Sequence, residues 1–198
     1  MMTALSYSTA LFAGEGEVRA ALRRHNWNAT SIGAESSWSP ALCSSLQHIL
    51  WSAFPNLILW GPDFVQLYNE AYLDLIGDVH VAGLGMAAHA FSPTDWEINA
   101  PIYARVRAGE TISREGALFS VTRSGRLENL YLTLSYAPIH DEHGAVAGVL
   151  VTIFEAEDEL APGGPAERHH RDMPPRDRKP SGRPGPVRRP TFPAARHD

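Results

Sequence analysis

Apolar and polar positions change period several times along the chain, and each change marks an element. Residues 11 to 27 place Leu11, Val18, Leu22 and Trp27 among polar positions, with Glu15 and Glu17 early and Arg23, Arg24 and His25 late. That order of charges suits a helix dipole. Asn28 to Pro40 is rich in Ser and Gly, yet Ile32 and Trp38 need burial, so it predicts an ordered connection. Ser39-Pro40 pairs an N-cap with a first-turn proline and opens a helix to about Ala53, with Leu42, Leu46, Ile49 and Leu50 on one face. From Phe54 the pattern is that of a hairpin: strand Asn56 to Trp60, turn Gly61-Pro62-Asp63, strand Phe64 to Tyr68. Asn69 then caps a short helix carrying Ala71, Tyr72, Leu75 and Ile76, closed by Gly77.

Between residues 78 and 96 the breaks at Gly83, Gly85 and Pro93 predict short turns, and Glu97 to Ala108 returns to helical spacing through Ile98, Ile102 and Val106. From Thr111 onward the pattern is strand-like. Thr111 to Val121 alternates loosely up to Ser124-Gly125, Leu130 to Tyr136 alternates at period two, residues 137 to 144 form a turn, and Ala145 to Phe154 is an apolar run. Five strands with helices inserted between the second and third predict an α+β fold with an antiparallel sheet.

After Leu160 the periodicity stops. Nine of the 15 prolines fall in residues 161 to 198, which hold 9 Lys plus Arg against 4 Asp plus Glu; residues 1 to 160 hold 8 against 18. The chain therefore divides into a helical lead-in over 1–53, a globular domain over 54–158 and a Pro/Arg-rich tail over 159–198 that composition predicts to be disordered. An acidic body argues against a nucleic-acid groove. No apolar run reaches the roughly 18 residues of a membrane span, and no leader pattern opens the chain, so a cytoplasmic protein is expected. Cys43, the single cysteine, can form no internal disulfide or multi-cysteine zinc site, and inside a helix it reads as a buried inert thiol.

Several strings, in order, resemble a PAS domain of the kind found at the start of bacterial multidomain sensor histidine kinases. They run over about residues 11 to 157: His25 to Gly33 as a lead-in, Phe54-Pro55, Trp60-Gly61-Pro62, Leu67 to Tyr72 with Leu75-Ile76-Gly77, and Thr133 to Ile139 followed by Gly144 to Val149. The resemblance implies a five-stranded sheet closed over a pocket by the intervening helices, with Trp60, Tyr68, Tyr72, Trp96, Tyr103 and Tyr136 as ligand-binding candidates. Asn69 and Gly77 are structural on this view, and Glu155 stands where the family relays its signal. It also implies a sensory or interaction module with a small-molecule ligand, a homodimeric or PAS partner, and a kinase or other effector. Dimerisation is expected through residues 14 to 25.

The departures are informative. Residues 77 to 96 contain no cysteine, which argues against a flavin photoadduct; residues 97 to 108 contain no histidine, although His80 and His89 precede them, which argues against haem. The cofactor is otherwise open. The last strand ends Glu155-Ala156-Glu157-Asp158, keeping the family's acid and losing its threonines. No kinase motif is present, so a non-enzyme is expected. The abrupt change at residue 161, with Lys179 the one lysine, motivates the hypothesis of a frameshift or truncation, which sequencing of the locus tests.

Two other readings stand beside this one. In a small α+β enzyme, His140, Asp141 and His143, or a pocket tyrosine such as Tyr136, would act as acid or base; His140-Asp141-Glu142-His143 also has metal-ligand chemistry, but its place between strands predicts an ordinary turn. In an electrostatic binder, the basic tail would engage nucleic acid or acidic lipid. Gly83-Leu84-Gly85 lacks the third glycine and the preceding strand of a dinucleotide loop.

Overall fold

The computed structural model describes residues 10–77, 80–123 and 125–155; the tail expected over 159–198 lies outside them. Helices α1 (Glu17–Arg24) and α2 (Pro40–Leu50) precede a five-stranded antiparallel sheet of order β2-β1-β5-β4-β3. Its strands are β1 (Asn56–Trp60), β2 (Val65–Tyr68), β3 (Ile112–Arg123), β4 (Arg126–His140) and β5 (Val146–Glu155). Three α-helices stand between β2 and β3 among the described residues, α3 (Glu70–Ile76), α4 (Ala88–Phe91) and α5 (Pro93–Arg107), with a 3-10 turn at His80–Gly83. The α+β architecture follows the expected order.

Local chemistry accounts for the boundaries. Ser39 Oγ accepts the N–H of Leu42 at 3.2 Å and Pro40 takes the first helical position, so α2 starts where predicted. The first helix is shorter than the 11–27 pattern because Gly14 and Gly16 hold φ of 105° and 129°, outside helical space. Leu11 and Phe12 are nevertheless buried, and they share one core with Val18, Leu22, Trp27, Leu42, Leu46 and the sheet. The helical lead-in thus packs as part of the same core. Trp27 and Trp38 meet edge to face at 4.9 Å, and each indole N–H donates to a backbone carbonyl, of Leu22 and Gly33 respectively.

Three expectations need correction. Phe64 belongs to the turn, not to β2: it holds φ 52°, and its ring lies 5.2 Å from Trp96. Pro93 opens α5 instead of breaking it, because a first-turn proline loses no helical hydrogen bond. Pro138 sits inside β4 opposite Val149, and the turn begins only after His140.

Residues 118–123 of β3 and 126–131 of β4 pair only with each other, apart from an isolated bridge between Gly77 and Thr122. This ribbon extends past β5, whose pairing with β4 starts at Leu132 opposite Glu155.

Candidate functional site

Alternate residues of a strand face the same side, so Leu57 and Leu59 of β1, Leu132, Leu134 and Tyr136 of β4, and Val151 and Ile153 of β5 form one wall. Helices α3 to α5 face it with Tyr72, Phe91, Trp96 and Tyr103. Between the wall and the helices lies a cavity of about 130 Å³. Phe119 and Val121, on the β3–β4 ribbon, close one side.

An open groove of about 710 Å³ adjoins the cavity and shares Tyr72, Asp95, Asn99 and Phe119 with it. Its own rim includes Ile98 and Leu118, both exposed, together with Arg114.

Four of the six aromatic candidates line the cavity: Tyr72, Trp96, Tyr103 and Tyr136. Three of their rings form a continuous path, Trp96 to Tyr103 at 5.9 Å and Tyr103 to Tyr136 at 6.2 Å. Trp60 and Tyr68 stand outside the lining. Trp60 is out of phase with Leu57 and Leu59 and so points to the opposite sheet face, where its ring covers Gly148, its partner on β5. Tyr68 is buried behind Tyr72, ring to ring at 5.1 Å.

Burial raises every phenol here. Tyr68 is pushed up to about 12 by burial. Tyr72 and Tyr103 go higher, by burial first and then by the neighbouring phenols and the Asp95 carboxylate. Tyr136 is raised by burial and partly drawn back by the Arg114 guanidinium at its hydroxyl. All four are therefore neutral hydrogen-bond donors at neutral pH, not bases.

Four polar residues at this site escaped the sequence reading. Gln66 lines the cavity from β2, and its Nε2 donates to the Gly83 carbonyl at 3.3 Å. Asp95 and Asn99 lie one turn apart on α5, where Asn99 Nδ2 donates to the Asp95 carbonyl at 2.9 Å. The Oδ1 of Asn99 is buried and has no partner among the described residues, an arrangement that costs about 1–3 kcal/mol in an unliganded site. Arg114 reaches the site from β3, opposite Leu134. The spacing Asp95, Asn99, Tyr103 was the available signal, but a helix read as starting at Glu97 leaves Asp95 off it.

Asn69 and Gly77 stand at the two ends of α3. Asn69 Oδ1 accepts from Tyr72 and from Asn56, each at 3.0 Å, while Nδ2 donates to the carbonyls of Ile49, Ser52 and Phe54. One side chain thus ties the end of α2, the start of β1 and the first turn of α3 together. Gly77 closes α3 at φ 76°, its N–H bonded to the Leu73 carbonyl. Glu155 is exposed at the end of β5.

His140 ends β4, Asp141-Glu142-His143 forms the turn that follows, and none of the four lines the cavity. Asp141 Oδ1 accepts the N–H groups of His143 and Ala145, both at 2.9 Å. Those bonds, Ala145 first, hold its carboxyl below the usual carboxylate range. Among the described residues no group of three His, Cys, Asp or Glu side chains is placed to hold a metal ion, and no helix is long and apolar enough to cross a membrane.

Five antiparallel strands, with helices inserted after the second and cupped over an inner cavity, define a PAS-like fold. Solved structures of similar fold include a sensory box sensor histidine kinase from Vibrio cholerae, with 19% identity over 59% of this chain and 90% of that one, TM-score 0.41. The PAS domain of Bordetella pertussis BvgS has 22% identity over 59% of this chain and 87% of that one, TM-score 0.45. A Rhodobacter sphaeroides LOV protein has 16% identity over 58% and 66%, TM-score 0.44. No protein-family model and no curated protein matches the chain.

Proposed function

We propose that the chain is a non-catalytic sensory module of a signal-transduction system, which binds a small, largely apolar molecule and passes a conformational bias to a partner. The observation that carries this reading is the cavity of about 130 Å³ lined by Tyr72, Tyr103 and Tyr136 and opening on a groove. The size is informative, because an engineered apolar cavity of about 150 Å³ takes up benzene. A single ring or a branched alkyl group fills this one.

The route outward starts on α3. Tyr72 lines the cavity, and two residues earlier Glu70 accepts the N–H groups of Val18 and Arg19 at the start of α1. A ligand that favours one placement of Tyr72 biases the seat of α1, and it does so only through differential affinity for the two states. The partner on this reading is a kinase or other effector, or a second copy docking through α1, with Glu155 a second exit at the end of β5.

Native mass spectrometry of the full 198-residue chain, with amide chemical-shift mapping against a library of single-ring fragments, tests the reading. A retained mass, or shifts clustered on the cavity lining, at Leu57, Leu59, Tyr72 and residues 91–103, 119–121, 132–136 and 151–153, is the expected result. A well-dispersed spectrum that no fragment perturbs, from protein that retains nothing, overturns it.

A further inference from the structure

The mouth of the cavity carries opposite charges on its two sides. On α5, Asp95 and Asn99 border both cavity and groove. Ser92 Oγ donates to Asp95 Oδ2 at 2.6 Å, which leaves the other carboxylate oxygen of Asp95 available. The Nδ2 of Asn99 is committed to the Asp95 carbonyl, so its unpartnered end is an acceptor. Across the groove, Arg114 lines it from β3 and shares the cavity face with Leu134.

Each simpler ligand leaves part of this arrangement unused. A neutral hydrocarbon leaves Asn99 Oδ1 unpaired and makes no use of either charge. An anion alone suits Arg114 and meets Asp95; a cation alone suits Asp95 and meets Arg114. A molecule bearing an ammonium and a carboxylate on one carbon, with an apolar remainder, satisfies all of them, because charge-assisted hydrogen bonds outweigh neutral ones.

We propose that the ligand is an apolar α-amino acid bound as its zwitterion, with carboxylate on Arg114 and the Tyr136 hydroxyl and ammonium on Asp95 and Asn99 Oδ1. A side chain between those of leucine and phenylalanine in size enters the cavity, among Leu59, Phe91, Trp96, Leu134 and Val151. The proposal rests on the small-molecule reading above and adds the chemical class.

Isothermal titration of the full chain with L-leucine and L-phenylalanine tests it, beside the deaminated acid of each (isocaproate, hydrocinnamate) and the decarboxylated amine (isoamylamine, phenethylamine). The expected result is that one amino acid binds and both of its analogues bind about tenfold or more weakly. Arg114→Gln then weakens the amino acid and spares the amine, while Asp95→Asn weakens the amino acid and spares the acid. An acid or amine that binds as tightly as its parent overturns the zwitterion and leaves the small-molecule reading intact. If none of the probes binds while native mass spectrometry finds another retained molecule, the amino-acid class is wrong and the cavity reading survives. If none binds, nothing is retained and no single-ring fragment perturbs the amide spectrum, both fall.

Discussion

Glu70 caps a helix that begins more than fifty residues before it: the N–H of Val18 lies 3.0 and 3.1 Å from its two carboxylate oxygens. Gly16, at the N-cap position of α1, makes no side-chain cap of its own, so a carboxylate from α3 supplies the acceptor. Glu70→Ala is expected to cost about 1–2 kcal/mol and to speed amide exchange in residues 17–24 ahead of the sheet. Exchange that stays uniform across α1 and β1 would show that α1 does not depend on this cap. Gly16→Ala should mimic the loss, since a Cβ there overlaps the Glu70 carboxylate at a φ of 129°.

Asn69 cannot be replaced by its closest isostere. Asn69→Asp keeps an acceptor for Asn56 and Tyr72 but removes every donor to Ile49, Ser52 and Phe54, and sets a buried negative charge against their carbonyls. A loss of about 2–4 kcal/mol is expected, read as a lower urea midpoint with unchanged slope. An unchanged midpoint would mean that the junction is held by its backbone alone.

Gly148 gives Trp60 its seat. A Cβ at residue 148 would stand 2.6 Å from the Trp60 ring and 3.1 Å from the Leu59 carbonyl, at the last pair of the β1–β5 ladder. Gly148→Ala should therefore destabilise by about 1–3 kcal/mol and blue- or red-shift Trp60 emission, with no effect on ligand binding because Trp60 faces away from the cavity. Weakened binding at full stability would contradict that orientation.

Alkaline pH should unfold the protein through its tyrosines. The folded pKa values of Tyr68, Tyr72, Tyr103 and Tyr136 are raised by burial above the unfolded value near 10. Their contribution is complete below pH 10 and is lost as pH rises past it, because the unfolded chain releases these protons first. Of the six tyrosines, four should ionise only together with loss of near-ultraviolet circular dichroism. Early, reversible ionisation of all six without unfolding would refute the burial argument.

Much of the frame was readable because its signals are local. Ser39-Pro40, Asn69 and Gly77 act within a few residues of themselves, and each stands where its side chain or its φ is needed. The site was less readable, for physical reasons. Residues of β1 are buried on both faces, so no polar alternation marks which side Trp60 takes. Phe64 holds a positive φ that no aromatic residue advertises. Arg114 falls just before a register shift between Arg114 and Ala117; the one extra residue on β3 puts the alternation out of step, and a cavity-facing arginine then looks like a solvent-facing one.

The unequal strand lengths set how the cavity exchanges with bulk water. Phe119 and Val121 belong to the two-stranded ribbon, whose backbone is cross-linked on one side only, while Val151 pairs with both β1 and β4, and Ile153 pairs with β4 and donates its N–H to the Pro55 carbonyl. A wall of that kind opens at lower free energy than the middle of the sheet. Residence time is then a property of the ribbon rather than of the contacts in the cavity: a cross-link that stitches β3 to α3 would slow entry and exit alike while leaving the equilibrium constant nearly unchanged.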